Sequence, residues 1–325
     1  MLLEIKNLKT EFKTKKGTIC AVNGVDFSVD KGEVVAIVGE SGSGKSVTSL
    51  SIMRLLSKST KTEITGHVLF KNKNLLNKSE KEMQEMRGKM LSMIFQEPMT
   101  SLNPVFTIGR QISEAIIKHE KVSTAEAKNR SIEMLRLVGI SSPETRVNNF
   151  PHQLSGGMRQ RVMIAMALSC NPELLIADEP TTALDVTIQA QILDLMLDIK
   201  EKLGTAILLI THDLGVVAEV ADKVVVMYCG KVVEKADVKD IFVNPNHPYT
   251  KGLLNSIPKI DENSERLFII PGTVPNPLDL PSGCAFRDRC PKCMEKCEKE
   301  QPPLYKLGNR EVRCFLYEKE DEVNG

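Results

Sequence analysis

An α/β fold with a helical insert and a small Cys-rich C-terminal extension is the class this sequence predicts. Three observations carry it. Wholly apolar runs of strand length stand at Val34–Val38 and Ala206–Ile210, the mark of parallel strands buried on both faces. A Gly-rich turn follows the first run directly and opens a stretch with helical periodicity. Five of the eight cysteines fall between Cys284 and Cys314, in a region punctuated by prolines.

The elements follow in chain order. Leu3–Leu8 alternates as a strand, and so does Ala21–Val29, with a turn expected at Asn23-Gly24, a hairpin-type dipeptide. Lys31-Gly32 turns into the strand Val34–Val38, and beyond the Gly-rich loop Val47–Leu56 carries apolar residues at helical spacing. From about Ser79 to Leu168 the pattern changes to helices broken by Pro and Gly, Glu114–His119 and Ala125–Val138 among them. The α/β pattern then resumes with strand Glu173–Ala177, helix Thr187–Leu203, and strands Ala206–Ile210 and Lys223–Met227. Past Pro245, the prolines 248, 258, 271, 275, 277 and 281 leave no room for long regular elements. The expected organisation is one domain over residues 1–240, with its helical subdomain at about 85–165, and an extension over 241–325.

Composition narrows the functions. Lys and Arg number 43 against 42 Asp and Glu, a net charge of +1, so there is no basic excess to drive general nucleic-acid binding. At 42% hydrophobic and 26% charged the chain is ordinary soluble material. No apolar run approaches the roughly 20 residues of a bilayer-spanning helix, and Met1–Thr10 has no signal-peptide core. A cytoplasmic location follows as the expectation, with any membrane role reached through partners. In that reducing compartment the cysteines are not read as disulfides.

Gly39-Glu40-Ser41-Gly42-Ser43-Gly44-Lys45-Ser46 fits G-x-x-x-x-G-K-[ST] in full, after a strand and before a helix. Glycines let backbone N–H groups curl around a polyphosphate, and the helix N-terminus adds its dipole. Lys45 is expected to reach the β- and γ-phosphates of a nucleoside triphosphate, and Ser46 to ligate Mg²⁺. Asp178 and Glu179 end the apolar run Leu174–Ala177. Asp178 would hold Mg²⁺ through water, and Glu179 would polarise the attacking water. His212 ends a third apolar strand and could donate to the γ-phosphate.

Between these sites stands Leu154-Ser155-Gly156-Gly157-Met158-Arg159-Gln160-Arg161, a second anion-binding helix N-terminus by its own chemistry. It resembles the signature motif of the ATP-binding cassette family, and the order of motifs makes the resemblance specific over residues 1–240. The resemblance implies a P-loop NTPase (RecA-like) core with an antiparallel β subdomain and a helical insert. It makes Gln96 the residue that contacts both Mg²⁺, beside Ser46 and Asp178, and the transmembrane partner. Ala183-Leu184-Asp185 resembles the loop that crosses the dimer interface. Phe12 is the implied adenine-stacking residue, with Ile19 as competitor, and Val47 stands among the ATP-binding positions where the family usually has Ser or Thr. Ser155, Gly156, Gly157 and Met158 would cover the phosphate loop of a second subunit, so that two subunits sandwich two ATP molecules.

His247–Leu254, together with the cluster from Pro281 to Pro291, is similar to the segment that follows the nucleotide domain in dipeptide, oligopeptide and nickel importer ATPases. That similarity implies an ATPase subunit energising di- or oligopeptide uptake from the cytoplasmic face of the membrane. Its implied partners are a second, paralogous ATPase, two transmembrane permease subunits and an extracytoplasmic solute-binding protein, with no nucleic acid. Nickel import is the alternative, and a non-transport cassette ATPase the remote one. The spacing Cys284-x5-Cys290-x2-Cys293-x3-Cys297, with Cys314 sixteen residues further on, suits an iron–sulfur cluster or tetrahedral zinc, with loose thiols and no metal as the third reading. The resemblance favours a [4Fe–4S] cluster on Cys284, Cys290, Cys297 and Cys314, and Cys293 falls where relatives often carry a small non-ligand.

Overall fold

The computed structural model describes residues 1–56, 61–96, 101–182, 185–257 and 268–318. The chain divides into two compact units. The first gathers Met1–Leu2, Val29–Glu33 and Asn77–Ile210, and the second gathers Leu3–Ser28, Val34–Leu76 and Thr211–Gly325.

The first unit is built on three parallel strands, Leu91–Ile94, Leu174–Asp178 and Ala206–Ile210, with Leu174 opposite both Leu91 and Ala206. Every residue of the three is buried, which is why they read as almost wholly apolar, with Ser92 and the terminal Asp178 as the polar members. The helical insert supplies Ile108–Glu120, Thr124–Leu137 and Gly156–Leu168. Each starts at a hydroxyl side chain, Thr107, Ser123 or Ser155, that accepts a backbone N–H of the first turn. Ile112, Ile116, Ala127 and Leu135 form the apolar seam of the first two, joined at its centre by a buried hydrogen bond between the Ser113 and Ser131 hydroxyls. The expected helix Glu114–His119 extends a further turn and a half toward the N-terminus, because Thr107 caps it there. Val186–Leu203 follows, capped by Asp185, and ends at Gly204 in the left-handed conformation.

The second unit carries a four-stranded antiparallel sheet in the order Gly17–Val29, Leu3–Thr14, Lys61–Phe70, Lys73–Asn74. The turn expected at Asn23-Gly24 is not there. The strand runs straight through, and the chain reverses at Lys15-Lys16 instead. Gly24 serves a close approach: its missing side chain leaves room for the Asn7 amide, and a Cβ would lie 3.2 Å from Asn7 Oδ1. The same unit holds Val34–Val38 parallel to Lys223–Tyr228, which pairs antiparallel with Lys231–Asp237.

The C-terminal extension continues that ladder. Arg310–Val312 adds beside Lys231–Asp237, with Glu234 opposite Val312, and Tyr305–Leu307 adds beside Arg310–Val312. Pro248–Asn255 is the longest helix of the extension among the described residues, with Pro248 at its first position and His247 as its cap. His247 Nδ1 accepts the Tyr249 N–H at 3.0 Å, so the ring must be neutral at that nitrogen. Burial, with Arg313 nearby, pushes the imidazole down to about 3 from its ordinary 6.5. The unfolded chain therefore takes up a proton at 6.5 that the native ring refuses until about 3. Stability from this group is present above pH 6.5 and drains away as the pH falls toward 3. His247→Asn keeps a capping oxygen without the titration, and denaturant unfolding across this range is expected to lose part of its acid slope in that variant. Superimposable slopes would acquit His247.

Candidate nucleotide site

The phosphate loop belongs to the second unit. Val34–Val38 delivers the chain to Gly39, and Lys45–Met53 carries it away as a helix whose cap, Gly44, lies at φ 99°. Gly39 lies at φ 150°, and a Cβ there would sit 2.2 Å from the Met227 carbonyl oxygen of the neighbouring strand. Only glycine can pass so close. Gly44 passes Ala21 in the same way, with 2.4 Å between its virtual Cβ and the Ala21 carbonyl oxygen. The Ser43 carbonyl accepts the Gly230 N–H at 2.9 Å, and the Ser43 N–H donates to the Glu40 carbonyl at 3.2 Å. Lys45 is buried, with its ammonium donating to the carbonyls of Gly39 at 2.7 Å and Glu40 at 3.1 Å. Ser41 and Gly42 form the exposed rim, and Ser46 and Val47 are half-buried in the first helical turn.

One atom of this loop points to a ligand. The Ser43 hydroxyl is buried and has no hydrogen-bond partner among the described residues. A buried hydroxyl left unpaired costs about 1–3 kcal/mol, so it is expected to find a partner in the working molecule. Together with the cradle of Gly39 and Gly44 and the buried ammonium, the loop fits the terminal phosphates of a nucleotide. His212 lies in the same unit, exposed, immediately beyond Thr211, whose N–H donates to the Ile37 carbonyl at 3.3 Å.

The first unit brings Gln96, Asp178 and Glu179 to the ends of its parallel strands. Asp178 is buried at the last strand position. Glu179 breaks the strand with φ 48°, unusual for a residue with a Cβ, while its N–H donates to the Ile210 carbonyl at 2.8 Å. Its carboxylate is gripped from two sides: Gln96 Nε2 donates to Oε2 at 2.9 Å, and Thr182 Oγ1 donates to the same oxygen at 2.9 Å. A strained residue held by two side-chain donors is a positioned carboxylate. The sequence motif did not single out Thr182, although a hydroxyl three residues past a carboxylate in a turn is a usable signal.

The Leu154–Arg161 segment starts its helix as expected. Ser155 Oγ accepts the Met158 N–H at 3.3 Å, and Ser155 and Gly156 are exposed at that end. Gly157 lets Ile188 approach, 3.0 Å from where its Cβ would be. The buried Gln160 side chain donates to the Pro180 carbonyl, tying this helix to the turn after Glu179. Asp185 caps the next helix by accepting the Ile188 N–H at 2.9 Å, whereas Ala183 and Leu184 lie outside the described residues.

Residues 22–182 match the ABC transporter family, and residues 233–297 match the oligopeptide/dipeptide transporter C-terminal region. The chain is 60% identical over 98% of its length to the oligopeptide transport ATP-binding protein AppD of Bacillus subtilis (strain 168), covering 98% of that protein. It belongs to the ABC transporter ATP-binding proteins. The dipeptide transport ATP-binding protein DppD of the same strain is 52% identical over 99% of this chain and 96% of its own. Among solved structures, the dimeric post-hydrolysis state of the ATP-binding cassette MJ0796, bound to ADP and Pi, superimposes with a TM-score of 0.65 at 28% identity, covering 73% of this chain and 98% of that one. The fold is therefore the ATP-binding cassette, mixed α/β with its antiparallel β subdomain, and the chain is an ATPase of that family.

In this ABC ATPase, Phe12 and Ile19 are both half-buried on adjacent strands of the antiparallel sheet, with Phe12 opposite Thr62. The metal expectation for the extension is not supported. Among the described residues, no group of three or more Cys, His, Asp or Glu side chains is placed to hold a metal ion. Cys297 and Cys314 pack instead into a small apolar cluster with Tyr305, Val312 and Phe315, flanked by Cys284 and Met294. Buried thiols of this kind act as small hydrophobes. Burial pushes Cys284 and Cys314 up to about 11, Cys290 is also raised, and Cys293 is exposed. No helix among the described residues is long and apolar enough to cross a membrane.

Proposed function

We propose that this chain is the ATP-hydrolysing subunit of an importer that energises uptake of di- or oligopeptides across the cytoplasmic membrane. The match of residues 233–297 to the oligopeptide/dipeptide transporter C-terminal region carries this reading, because that segment lies outside the general cassette. AppD and DppD, the relatives of matching length, are named for oligopeptide and dipeptide transport. Lys45 and the loop's N–H groups bind the phosphates, and Ser46, Gln96 and Asp178 offer the oxygen donors that Mg²⁺ prefers. The bound cation neutralises phosphate charge. Glu179 orients and deprotonates the attacking water, and His212 donates to the γ-phosphate. Ser155, Gly156, Gly157 and Met158 present their helix N-terminus to the nucleotide of a second ATPase subunit, with Asp185 at that interface. The chain works peripherally on the cytoplasmic face, beneath two permease subunits that receive peptide from an extracytoplasmic binding protein.

The test is uptake of labelled dipeptide, longer peptide and nickel in matched cells carrying the native chain or Glu179→Gln. Loss of peptide uptake in the variant is expected, and its dependence on length ranks the substrates. Loss of nickel uptake alone would move the same motor to metal import. Unchanged uptake of all three would remove the transport assignment while leaving the ATPase.

A further inference from the structure

The C-terminal extension holds Glu40 of the phosphate loop by both its side chain and its backbone. Arg289 Nη1 lies 2.6 Å from Glu40 Oε2 and Nη2 lies 3.0 Å from Oε1, a two-pronged pair in which the Arg289 side chain is 5% exposed and that of Glu40 29%. The Glu40 N–H donates to the Tyr249 hydroxyl at 2.8 Å. Arg289 is itself immobilised: its Nε donates to the Pro271 carbonyl at 3.0 Å, and Nη1 lies 3.4 Å from the Tyr228 hydroxyl. The rings of Tyr228, Tyr249 and Phe286 pack on one another with centroids 4.7–5.4 Å apart, so the guanidinium and the hydroxyl stand on one rigid block. Glu40 is also the residue whose carbonyl, with that of Gly39, receives the Lys45 ammonium. Whatever shifts Glu40 shifts the seat of Lys45.

We infer that Arg289, seconded by Tyr249, is a positioning residue for ATP binding: the extension sets the shape of the phosphate loop through Glu40. The inference rests on Gly39–Ser46 being the ATP-binding loop. A planar fork on a carboxylate fixes direction as well as distance, which a lysine cannot reproduce. The partner that supports the loop therefore comes from a segment 249 residues further along the chain.

The experiment is equilibrium binding of MgATP to the full chain, with thermal unfolding recorded beside it. Arg289→Gln and Glu40→Gln are each expected to weaken binding about tenfold, the size of one lost charge-assisted pair. The double variant is expected to be no weaker than either single, since both remove the same contact. Arg289→Lys keeps the charge without the fork and is expected to fall between. Tyr249→Phe removes only the hydroxyl and keeps the packed rings, so it remains informative if Arg289→Gln does not fold; it is expected to weaken MgATP in the same direction. Lys45→Ala separates the two readings. If Lys45→Ala loses MgATP while Arg289→Gln and Tyr249→Phe bind as the native chain does, the phosphate loop stands and the positioning role is overturned. Native-like binding by Lys45→Ala would overturn both.

Discussion

Glu179→Gln is expected to retain MgATP and to lose hydrolysis by a factor of about 10² to 10⁴, the range a general base supplies. The substitution changes one oxygen to an amide and leaves the volume alone. In the native chain Gln96 and Thr182 both donate to Oε2 of Glu179, so that carboxylate oxygen is committed to positioning. An amide can turn its own oxygen toward those two donors and so keep the turn intact. What it cannot do is accept a proton from water. On the proposed reading the loop from Gly39 to Ser46 binds the nucleotide, and the substitution does not alter it. The check is steady-state phosphate release beside nucleotide binding on the same preparation. A variant that hydrolyses ATP at the native rate would strip Glu179 of its role as base, whatever its affinity. Thr182→Val gives a milder companion, since it deletes one donor to Oε2 and leaves the carboxylate chemistry in place.

Much of this site was legible because its signals are local. The runs Val34–Val38 and Ala206–Ile210 are strands with the expected bounds, since a strand buried on both faces admits only apolar residues and declares its own length. The phosphate loop was readable for a related reason: Gly39 and Gly44 stand where a Cβ would strike the backbone of Met227 and Ala21, and such needs leave a fixed glycine spacing behind. Asn23-Gly24 misled because the same dipeptide that makes a hairpin turn also admits a close cross-strand approach, and the choice lies with Asn7 on another strand. The cysteines are a different case: their density shows that thiols share a region, and Cys284, Cys297 and Cys314 do gather around Tyr305 and Phe315, but among the described residues no group of three or more is placed to hold a metal ion. Arg289 stands inside the cluster that carries the importer resemblance, but nothing in its spacing names its partner Glu40.

Gly39→Ala is expected to damage the loop severely, and Gly42→Ala shows why by contrast. Both glycines have positive φ, 150° and 79°, so alanine is strained at either. At Gly42 the new methyl group meets nothing within 4 Å, and the cost is backbone strain alone, about 1–2 kcal/mol. At Gly39 the methyl would lie 2.2 Å from the Met227 carbonyl oxygen and 2.9 Å from Ser43 Oγ. Neither can yield cheaply. Met227 is in the strand Lys223–Tyr228, whose ladder to Val34–Val38 carries the loop, and Ser43 is tied through its carbonyl to Gly230. The loop must therefore move, and with it the two carbonyls that seat Lys45. MgATP affinity is expected to fall by about two orders of magnitude or more in Gly39→Ala, and by less than about tenfold in Gly42→Ala, with denaturant midpoints ranking the two variants in the same order. If both variants lose affinity equally, positive φ alone explains the glycines and the close passage of Gly39 by Met227 has no part in shaping the site.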